Sequence, residues 1–498
     1  MTVLATSREA LGVDGELLCL VPPLEVPDAL TSTAAEVPQT PAAQLFLQHA
    51  AAVGAPVEPA DLLCVAEICR RLDGIPLALE LAAARLRSTS PAELLERLRD
   101  GRHELRNPRR VAEARHRTLQ AVVAWSYALL STQEQAAFAQ LSVFAGAFSA
   151  EAAQQIAGAD DQVLHALVDK SMVVVERQPG GTRYRLLVTL RALGEEQLSE
   201  EDGQRTRAAH AAYFQRRTQA TMSRGGPHIA EAVATVTGDL DELRIAHAWA
   251  LRHDLDLALD VLAALVDYVE LQMPSEVFTW AEQAIEAAEA SGSTHASLPL
   301  VLTVAASGAR FRGDLSTAGA WAQRALDLLP LQSDARRFPL YLLAELPLFE
   351  GDLARSVKMA TELEQSARAA DDAFRVSLAL VTRALAIGYG GDAAAAEALA
   401  LSSREQAEAA GELAGAAWSY YAEGELRIDT EPERALGELN RALQGAGKVG
   451  DRYLTGCALV SRASLLGRWH DPEPARDAFR DVIEHWHQAG DWTHQWTT

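Results

Sequence analysis

Residues 351–392 read GDLARSVKMATELEQSARAADDAFRVSLALVTRALAIGYGGD, and this stretch contains one full period of the pattern that decides the fold. A Gly-Asp pair begins the period at Gly351 and returns at Gly391. The polar step Ala370-Asp371-Asp372 divides the period into two segments without internal proline. The pattern predicts two helices joined by short turns.

Similar breaks recur along the second half of the chain. One set of helix ends lies at Ser291-Gly292-Ser293, Gln332-Ser333-Asp334, Ala370-Asp371-Asp372, Ala410-Gly411-Glu412, Val449-Gly450-Asp451 and Ala489-Gly490-Asp491. The steps between their middle residues are 41, 38, 40, 39 and 40. A second set of turns interleaves with the first, at Gly313-Asp314, Gly351-Asp352, Gly391-Asp392, Asp429-Thr430 and His470-Asp471. Two turns per period mean two helices per repeat, and such pairs bury their apolar faces only by stacking. We therefore expect a right-handed solenoid of the tetratricopeptide kind over residues 205–498.

Composition excludes several classes of protein. The chain has 498 residues, 49% of them hydrophobic, so it can form packed cores and is not a disordered tail. Its formal charge of -23 argues against a general nucleic-acid coat protein. Four cysteines in so long a chain form no disulfide framework. No signal-peptide pattern is present, and the apolar stretch 257–271 is interrupted by acidic residues. We expect a cytoplasmic protein without membrane spans.

In the first 108 residues the sequence pattern changes near residue 40 from strand-like to helical. The apolar runs Met1–Thr6 and Leu17–Val21 resemble buried strands, but two strands do not form an independent sheet. From Pro41 the pattern is helical, with helices expected from Pro59 to Leu72, from Pro76 to Arg87 and from a capping box at Ser90-Pro91-Ala92-Glu93. Residues 40–108 are interpreted as a small helical domain.

Residues 109–200 combine helices with one hairpin, which is typical of a winged helix. The expected features are an amphipathic helix over Thr118–Leu130, a capping box at Ser131 and Glu134, helix caps at Ser149 and Asp160, and strands over Met172–Arg177 and Arg183–Leu187. The helix before the wing carries Asp160, Asp161 and Asp169 against Lys170. Because these carboxylates would repel phosphate, direct DNA binding by this domain is not expected.

Several of these segments together resemble a known family. The run Ile68-Cys69-Arg70-Arg71-Leu72-Asp73-Gly74-Ile75-Pro76-Leu77-Ala78-Leu79-Glu80 resembles the G-x-P segment of NB-ARC-type signalling ATPases, the STAND class. Five further segments of this chain resemble the winged-helix domain of that family. They are Arg115-His116-Arg117-Thr118-Leu119, Ala124-Trp125-Ser126-Tyr127, Leu141-Ser142-Val143-Phe144-Ala145-Gly146, Leu167-Val168-Asp169-Lys170-Ser171 and Tyr184-Arg185-Leu186-Leu187. The resemblance covers residues 1 to about 200. It is closest to bacterial regulators that carry a C-terminal tetratricopeptide array and are often fused to a cyclase or a LuxR-type DNA-binding domain.

The resemblance implies nucleotide-binding roles for Arg8, Gly74, Pro76 and Leu77. Arg8 would end a strand and contact the γ-phosphate of ATP, while Pro76 would pack against adenine. The alternatives are a surface arginine after a strand and a proline at the first position of a helix. Leu187 and Val188 lie where the family has a histidine or acidic residue that stabilises the ADP-bound state, so this sequence departs from the family's pattern there.

The phosphate site of the family is missing from this sequence. A P-loop has the pattern G-x-x-x-x-G-K-[ST], and of the three lysines only Lys170 precedes a serine, with Asp169 in place of glycine. No acidic pair that would hold Mg²⁺ ends a strand before Thr6. The chain is therefore expected not to be an enzyme by itself, and ATP or ADP, the cofactor of the intact family, is not expected to bind it tightly. If the resemblance is correct, the family's P-loop core would precede residue 1. The incomplete helix after Asp491 would likewise indicate a cut at the other end.

Histidine and aromatic residues in the repeats have structural roles as alternatives to a metal site and a ligand cage. His485 and His487 alternate on a helix and face different ways, so a metal site is not expected. The repeats contain aromatic residues that are interpreted as core between stacked helices in preference to a ligand cage, namely Trp280, Trp321, Trp418, Tyr420, Tyr421 and Trp469.

The predicted fold class is mostly α. It comprises a two-strand remnant of an α/β NTPase core at residues 1–30, a helical lid domain at 40–108, a winged helix at 109–200 and a tetratricopeptide-like α-solenoid at 205–498. The expected function is nucleotide-switched signal transduction and transcription regulation, with the repeats sensing a protein partner or small effector. The alternatives are a stand-alone repeat adaptor that binds proteins and a winged-helix regulator that binds DNA.

Overall fold

A computed structural model of the chain describes residues 23–27, 35–72, 74–100, 124, 126–178, 181–223, 226–469 and 472–489. The chain is mostly helical and divides into two compact units, Met1–Thr206 and Arg207–Thr498. Several predictions lie outside the described residues: the two strands at 1–6 and 17–21, the site residue Arg8, most of the helix at 118–130, and the chain end after 489.

The first unit begins with four short helices, and the sequence predicts the start of three of them correctly. The four helices are α1 (Pro41–Ala52), α2 (Leu62–Arg71), α3 (Pro76–Ala84) and α4 (Pro91–Asp100). A 3₁₀ turn from Pro59 leads into α2, and another extends α3 to Arg87. The capping box is confirmed, because the Ser90 amide donates to Glu93 Oε2 at 3.0 Å and the Glu93 amide donates to Ser90 Oγ at 3.2 Å.

Gly74 connects α2 to α3 and leaves no room for a side chain. The residue is buried, with φ of 66°. Its carbonyl accepts a hydrogen bond from the Leu24 amide at 2.9 Å, and a Cβ built on it would lie 2.0 Å from the Leu24 carbonyl oxygen. Both the left-handed backbone and the close approach of a second chain segment therefore require glycine.

The winged helix follows in the order predicted. Its elements are α5 (Thr132–Leu141), α6 (Ala150–Ala157), α7 (Asp161–Asp169), β1 (Val174–Gln178), β2 (Gly181–Arg185) and α8 (Val188–Gln197). The caps at Ser131, Ser149 and Asp160 are confirmed, since each side chain accepts a backbone amide.

The strands β1 and β2 pair antiparallel, with Val175 opposite Tyr184, but they do not have the predicted limits. The first strand starts two residues later than expected, because the Met172 amide still donates to the Leu167 carbonyl at the end of α7. The second strand ends two residues earlier, because Leu187 is already the residue before α8. Helix caps therefore take the residues at both outer ends of the hairpin.

The second unit begins with helices that do not follow the regular repeat. They are α9 (Glu200–Met222, which starts in the first unit), α10 (Ile229–Gly238), α11 (Leu240–His253), α12 (Leu255–Ala263), α13 (Val266–Gln272) and α14 (Ser275–Ser291). Within this part the buried His210 ring lies 2.8 Å from Glu242, which joins α9 to α11.

Five helical pairs complete the unit and confirm two helices per repeat. They are α15 (Leu298–Phe311) with α16 (Leu315–Leu328), α17 (Arg337–Glu350) with α18 (Leu353–Ala369), α19 (Ala373–Tyr389) with α20 (Ala393–Ala410), α21 (Leu413–Arg427) with α22 (Pro432–Val449), and α23 (Arg452–Trp469) with α24 (Pro472–Ala489). The recurring Gly-Asp pair has a physical reason. Gly351 takes φ of 77° at the end of α17, and the Asp352 side chain then accepts the Arg355 amide at the start of α18.

The two helices of a pair have different surroundings. In α15 thirteen of the fourteen residues are buried, whereas in α16 only four of fourteen are. The first helix of a pair is therefore covered on its inner side as well as by its partner. The second helix buries one face and forms the outer layer.

The inner helices are covered because the last ones return to the first. Helix α13 contacts α23, and the Gln272 side-chain amide donates to the Gly450 carbonyl just before α23. The Tyr453 hydroxyl donates to Glu345 Oε1 of α17 at 3.2 Å, and its ring lies 5.2 Å from that of Phe311 in α15. The array thus closes around a central cluster of side chains.

We expect Gly74→Ala to loosen the first unit more than a matched change at Gly54. Gly54 also has a positive φ, 77°, but a Cβ there meets nothing within 4 Å. Gly54→Ala should cost about 1–2 kcal/mol of local stability from backbone strain, and Gly74→Ala about 1–3 kcal/mol more from the clash with Leu24. Hydrogen–deuterium exchange of peptides covering α2 and α3 in the full chain measures the loss of local stability in each variant. Equal protection in the two variants would contradict the role given to Leu24.

Candidate functional site

The inner helices line a partly open cavity of about 290 Å³ within the second unit. Its walls come from α17, α19, α21 and α23, with Trp486 from α24. The lining side chains are Tyr341, Glu345, Leu348, Phe349, Leu378, Val381, Thr382, Leu385, Tyr389, Trp418, Tyr421, Glu425, Tyr453, Cys457, Val460, Ser461 and Trp486. On α17, α19, α21 and α23 the lining positions recur every three or four residues, which is the spacing of a single helical face.

The repeat brings equivalent positions to the cavity. Tyr341, Val381, Tyr421 and Ser461 follow one another at intervals of 40 residues, and all four line it. Tyr421 on α21 and Ser461 on α23 therefore face the same space from neighbouring repeats. Four successive repeats therefore contribute one corresponding side chain each.

Aromatic rings form a continuous cluster along one side of the cavity. The Trp418 ring is 5.7 Å from Tyr421 and 5.9 Å from Tyr453, and Tyr453 is 6.4 Å from Trp486. The Trp418 indole N–H donates to Asp451 Oδ2 at 3.0 Å, which fixes its orientation. The lining is thus apolar and rigid, with few polar groups, as in small-molecule sites.

Arg310 lies at the centre of the polar cluster beside the cavity. Its guanidinium is buried, donates to Glu270 Oε2 at 2.7 Å, and is hydrogen-bonded to Glu345. The same group lies 4.8 Å from the Tyr453 ring and 4.3 Å from the Phe311 ring. Burial disfavours the charge, but Glu270 and the neighbouring tyrosines outweigh it and raise the pKa of Arg310. The arginine therefore stays charged and joins α13, α15, α17 and α23.

A second buried arginine links α13 to α19. Arg375 pairs with Asp267 at 2.7 Å and with Asp372 at 3.2 Å, and its guanidinium lies 4.1 Å from the Phe338 ring. Burial lowers the pKa of Arg375, but Asp267 and Asp372 more than compensate, so the pKa is raised. Two arginines thus hold helix α13 against the inner helices.

Asp451 is buried at the start of α23 without an arginine partner among the described residues. Its side chain accepts the Leu454 amide at 2.8 Å and the Trp418 indole. Burial raises the pKa of Asp451 to about 7 because it disfavours the charged form, and the nearby Glu270 adds to this effect.

The nucleotide-site residues predicted from the sequence lie in the first unit, in one turn. Gly74 is buried against Leu24, Pro76 is exposed at the first position of α3, and Leu77 is half-buried. Arg8 is outside the described residues, so its distance to this turn is not defined. A separate open cavity of about 480 Å³ in this unit is lined by residues 53–58, 61, 86, 87 and 89–91, and includes none of the three.

The cavity in the repeats is a site that the sequence interpretation missed. Trp418 is buried, as expected of a core residue, but it lines the cavity together with Tyr421. The core interpretation is wrong for Trp469, whose side chain is 52% exposed. The signal that was available in the sequence is the return of aromatic and acidic residues after two periods, 80 residues apart, as in Tyr341 with Tyr421 and Glu345 with Glu425.

The helix before the wing has an acidic surface, as predicted. Asp161 and Asp169 are exposed, and Asp169 pairs with Arg87 of the helical domain at 2.9 Å. Lys170 lies 2.6 Å from Glu134. Burial of Glu134 would raise its pKa, but the Lys170 ammonium and the Ser131 groups lower it overall. The lysine charge is therefore balanced within the domain.

Neither a membrane-spanning helix nor a metal-binding cluster occurs among the described residues. No helix in that part of the chain combines the length and apolar character needed to cross a membrane. In the same ranges, no group of three or more His, Cys, Asp or Glu side chains is arranged to hold a metal ion.

Sequence comparison links the chain to bacterial regulators. Residues 130–199 match the family described as a winged helix-turn-helix domain. The chain is 37% identical over 259 residues to "Putative HTH-type transcriptional regulator Rv0890c" of Mycobacterium tuberculosis (strain ATCC 25618 / H37Rv), covering 50% of this chain and 28% of that protein. It is 42% identical over 211 residues to "Uncharacterized protein Rv0894" of the same strain, covering 40% of this chain and 50% of that protein. The matches thus span half or less of either relative.

Two solved structures are similar at low sequence identity. One is a Signal Transduction ATPase with Numerous Domains (STAND) protein with a tetratricopeptide repeat sensor from Pyrococcus horikoshii, at a TM-score of 0.49 and 12% identity, covering 91% of this chain and 61% of that chain. The other is a Rap protein complexed with competence and sporulation factor, at a TM-score of 0.44 and 13% identity, covering 57% of this chain and 79% of that chain. Likeness at this level carries no information on function.

Replacing Arg310 by methionine should destabilise the second unit strongly. The variant keeps the length of the side chain but leaves the carboxylates of Glu270 and Glu345 without their cation, at a cost of roughly 3–5 kcal/mol. Arg312→Met is the control, because Arg312 pairs with Glu282 at the surface and should contribute about 0–1 kcal/mol. Thermal unfolding of the full-length variants compares the two. Similar melting temperatures for R310M and R312M would disprove the central role of Arg310.

Stability should decrease as pH rises through the pKa of Asp451. The folded state binds this proton more tightly than the unfolded state, so the contribution is complete below the ordinary aspartate pKa and is lost as pH passes about 7. Asp451→Asn keeps the helix cap and should flatten the loss of stability between about pH 4 and about pH 7.

The control for this change is Asp314→Asn, at the exposed cap of α16. Hydrogen bonds from Thr317 lower the pKa of Asp314, so its contribution is lost only in acid, below that window. Urea denaturation of each full-length variant at several pH values checks both expectations. An unchanged pH slope in D451N would show that Asp451 is not the group responsible.

Proposed function

We propose that this chain is the effector-sensing part of a cytoplasmic transcription regulator of the STAND type. The observation that carries the proposal is the partly open cavity of about 290 Å³ to which four successive repeats contribute equivalent side chains. The named relative supports a role in transcription regulation, and the matched winged helix-turn-helix domain is consistent with it.

Ligand binding in the cavity can affect the whole second unit, because the walls of the cavity come from parts of the array that are distant in sequence. A ligand would contact α17 and α23 at once, and these helices already meet through Glu345 and Tyr453, which are 108 residues apart in sequence. Binding that favours one packing of the inner helices shifts the whole unit toward it. The repeats would therefore respond to the ligand as a single unit.

We also propose that the chain takes part in a nucleotide-dependent switch. By resemblance, Arg8 and the turn formed by Gly74, Pro76 and Leu77 would contact ATP or ADP. The exposed position of Pro76 at the start of α3 is compatible with adenine packing against it. Because the sequence has no P-loop, we expect these residues to report on the nucleotide and not to hold or hydrolyse it by themselves.

In this scheme the winged helix would have a structural role, packing against other parts of the protein. The second candidate function is DNA binding by the winged helix, which is favoured by the family match and by the name of the relative. The acidic surface of α7 argues against its entry into a major groove. If the domain contacts DNA, the wing is the better candidate, because Arg177 is exposed and Arg183 is half-buried.

A tryptophan at position 457 should abolish the response to the effector. Cys457 lines the cavity and is partly exposed, so Cys457→Trp fills the space. Cys64→Trp is the matched control, since Cys64 is also a partly exposed helical cysteine but lies in α2. A thermal-shift screen of a defined bacterial metabolite library on the full chain should find compounds that stabilise the wild type and C64W but not C457W.

Two results would count against effector sensing at this site. One is the absence of any stabilising compound in the screen with the wild-type chain. The other is a set of compounds that stabilise C457W as much as the wild type, which would locate their binding elsewhere.

A further inference from the structure

Glu425 presents a carboxylate to the cavity without a basic partner. In the described part of the chain it accepts a hydrogen bond from the Tyr389 hydroxyl at 3.2 Å, and no arginine, lysine or histidine there forms an ion pair with it. The residue is half-buried, so solvent screens its charge only in part. This differs from Glu345, the other acidic lining residue, which is paired with Arg310.

The charge beside the cavity has a negative excess. Glu270 and Glu345 share the single guanidinium of Arg310. Asp267 and Asp372 add no excess, because Arg375 pairs with both of them and Arg337 also pairs with Asp372 at 2.7 Å. The excess therefore comes from Glu270 and Glu345, and Glu425 adds a carboxylate that has no ion pair in the described part of the chain. The field inside the cavity favours a positively charged occupant.

The aromatic wall is arranged to stabilise such a charge. Trp418 and Tyr421 stand edge to face at 5.7 Å and 89°, so their ring faces point in different directions. The chain already uses this cluster for a cation, because the Arg310 guanidinium lies 4.8 Å from the centre of the Tyr453 ring. Ring faces attract cations more strongly where water is excluded.

We propose that the cavity binds an organic cation, an amine or quaternary ammonium group on an apolar body, with Glu425 as its counter-charge. The inference rests on the proposed function, since it names the chemical class of the effector at the same site. The apolar body would contact the lining from α19, including Val381 and Leu385. The ammonium group would lie beside Glu425 and the rings of Trp418 and Tyr421.

Other occupants fit the same walls less well. An anion would be repelled by Glu425 and by the acidic excess around Arg310. A neutral ligand of the same shape would cover Glu425 and leave its carboxylate with the Tyr389 hydroxyl as its polar contact. Desolvating a carboxylate without a cation is costly, so the neutral ligand should bind more weakly.

The test compares three probes of similar shape with the full-length chain. Benzyltrimethylammonium is the cation, 2,2-dimethylpropylbenzene is its uncharged isostere, and 3-phenylpropionate is the anion. Quenching of tryptophan fluorescence at constant ionic strength measures each dissociation constant, since Trp418 and Trp486 line the cavity. We expect the cation to bind at least about tenfold more tightly than either of the others, as cation–π contacts and one counter-charge together predict.

Glu425→Gln isolates the counter-charge. The amide keeps the size of the side chain and an oxygen acceptor for Tyr389, so the fold should be unaffected. We expect this variant to bind the cation about tenfold more weakly and the neutral isostere unchanged. Glu408→Gln is the matched control, because Glu408 accepts from the Tyr420 hydroxyl at 2.9 Å but does not line the cavity. It should leave all three constants unchanged.

The outcomes separate this inference from the proposed function. Tighter or equal binding of the neutral probe or the anion, or cation binding that E425Q does not weaken, would overturn the cation assignment. The proposal of effector sensing would remain supported if metabolites stabilised the wild-type chain but not C457W. Failure of every probe to bind at millimolar concentration would also overturn the assignment.

Discussion

The architecture of the repeats depends on the burial of the Arg310 charge. A guanidinium removed from water is tolerated only where its donors and its faces are occupied, and here Glu270, Glu345 and the rings of Phe311 and Tyr453 occupy them. These four residues belong to helices α13, α15, α17 and α23. One buried cation therefore couples helices from the beginning, middle and end of the second unit, and the cavity forms beside the point where they meet.

The order of the elements was accessible from the sequence because it is decided by neighbouring residues. Where a glycine with positive φ ends one helix and an aspartate caps the next, as at Gly351 and Asp352, the pair marks the turn in the sequence. The capping box at Ser131 and Glu134 is equally local. The hairpin limits were off by two residues because the caps of the flanking helices extend into the expected strands.

The cavity was not accessible in the same way, because it depends on contacts between distant residues. The 40-residue period shows that Tyr341 and Tyr421 are equivalent, but not that their helices face a common space. That follows only from closure, for example from the contact of Tyr453 with Glu345 across 108 residues. Spacing also could not distinguish the exposed end of α23 from its core, which explains the error at Trp469.

Closure of the array has a consequence for how the second unit can change over time. In an open solenoid each module touches only its neighbours, so modules can be gained or lost at little cost. Here Gln272 and Gly450 meet across the array, so insertion or deletion of one helical pair would separate them. Duplication and loss of modules, the usual route to diversity in such proteins, is therefore restricted. New specificity would have to arise by exchange of single side chains on a scaffold of constant length.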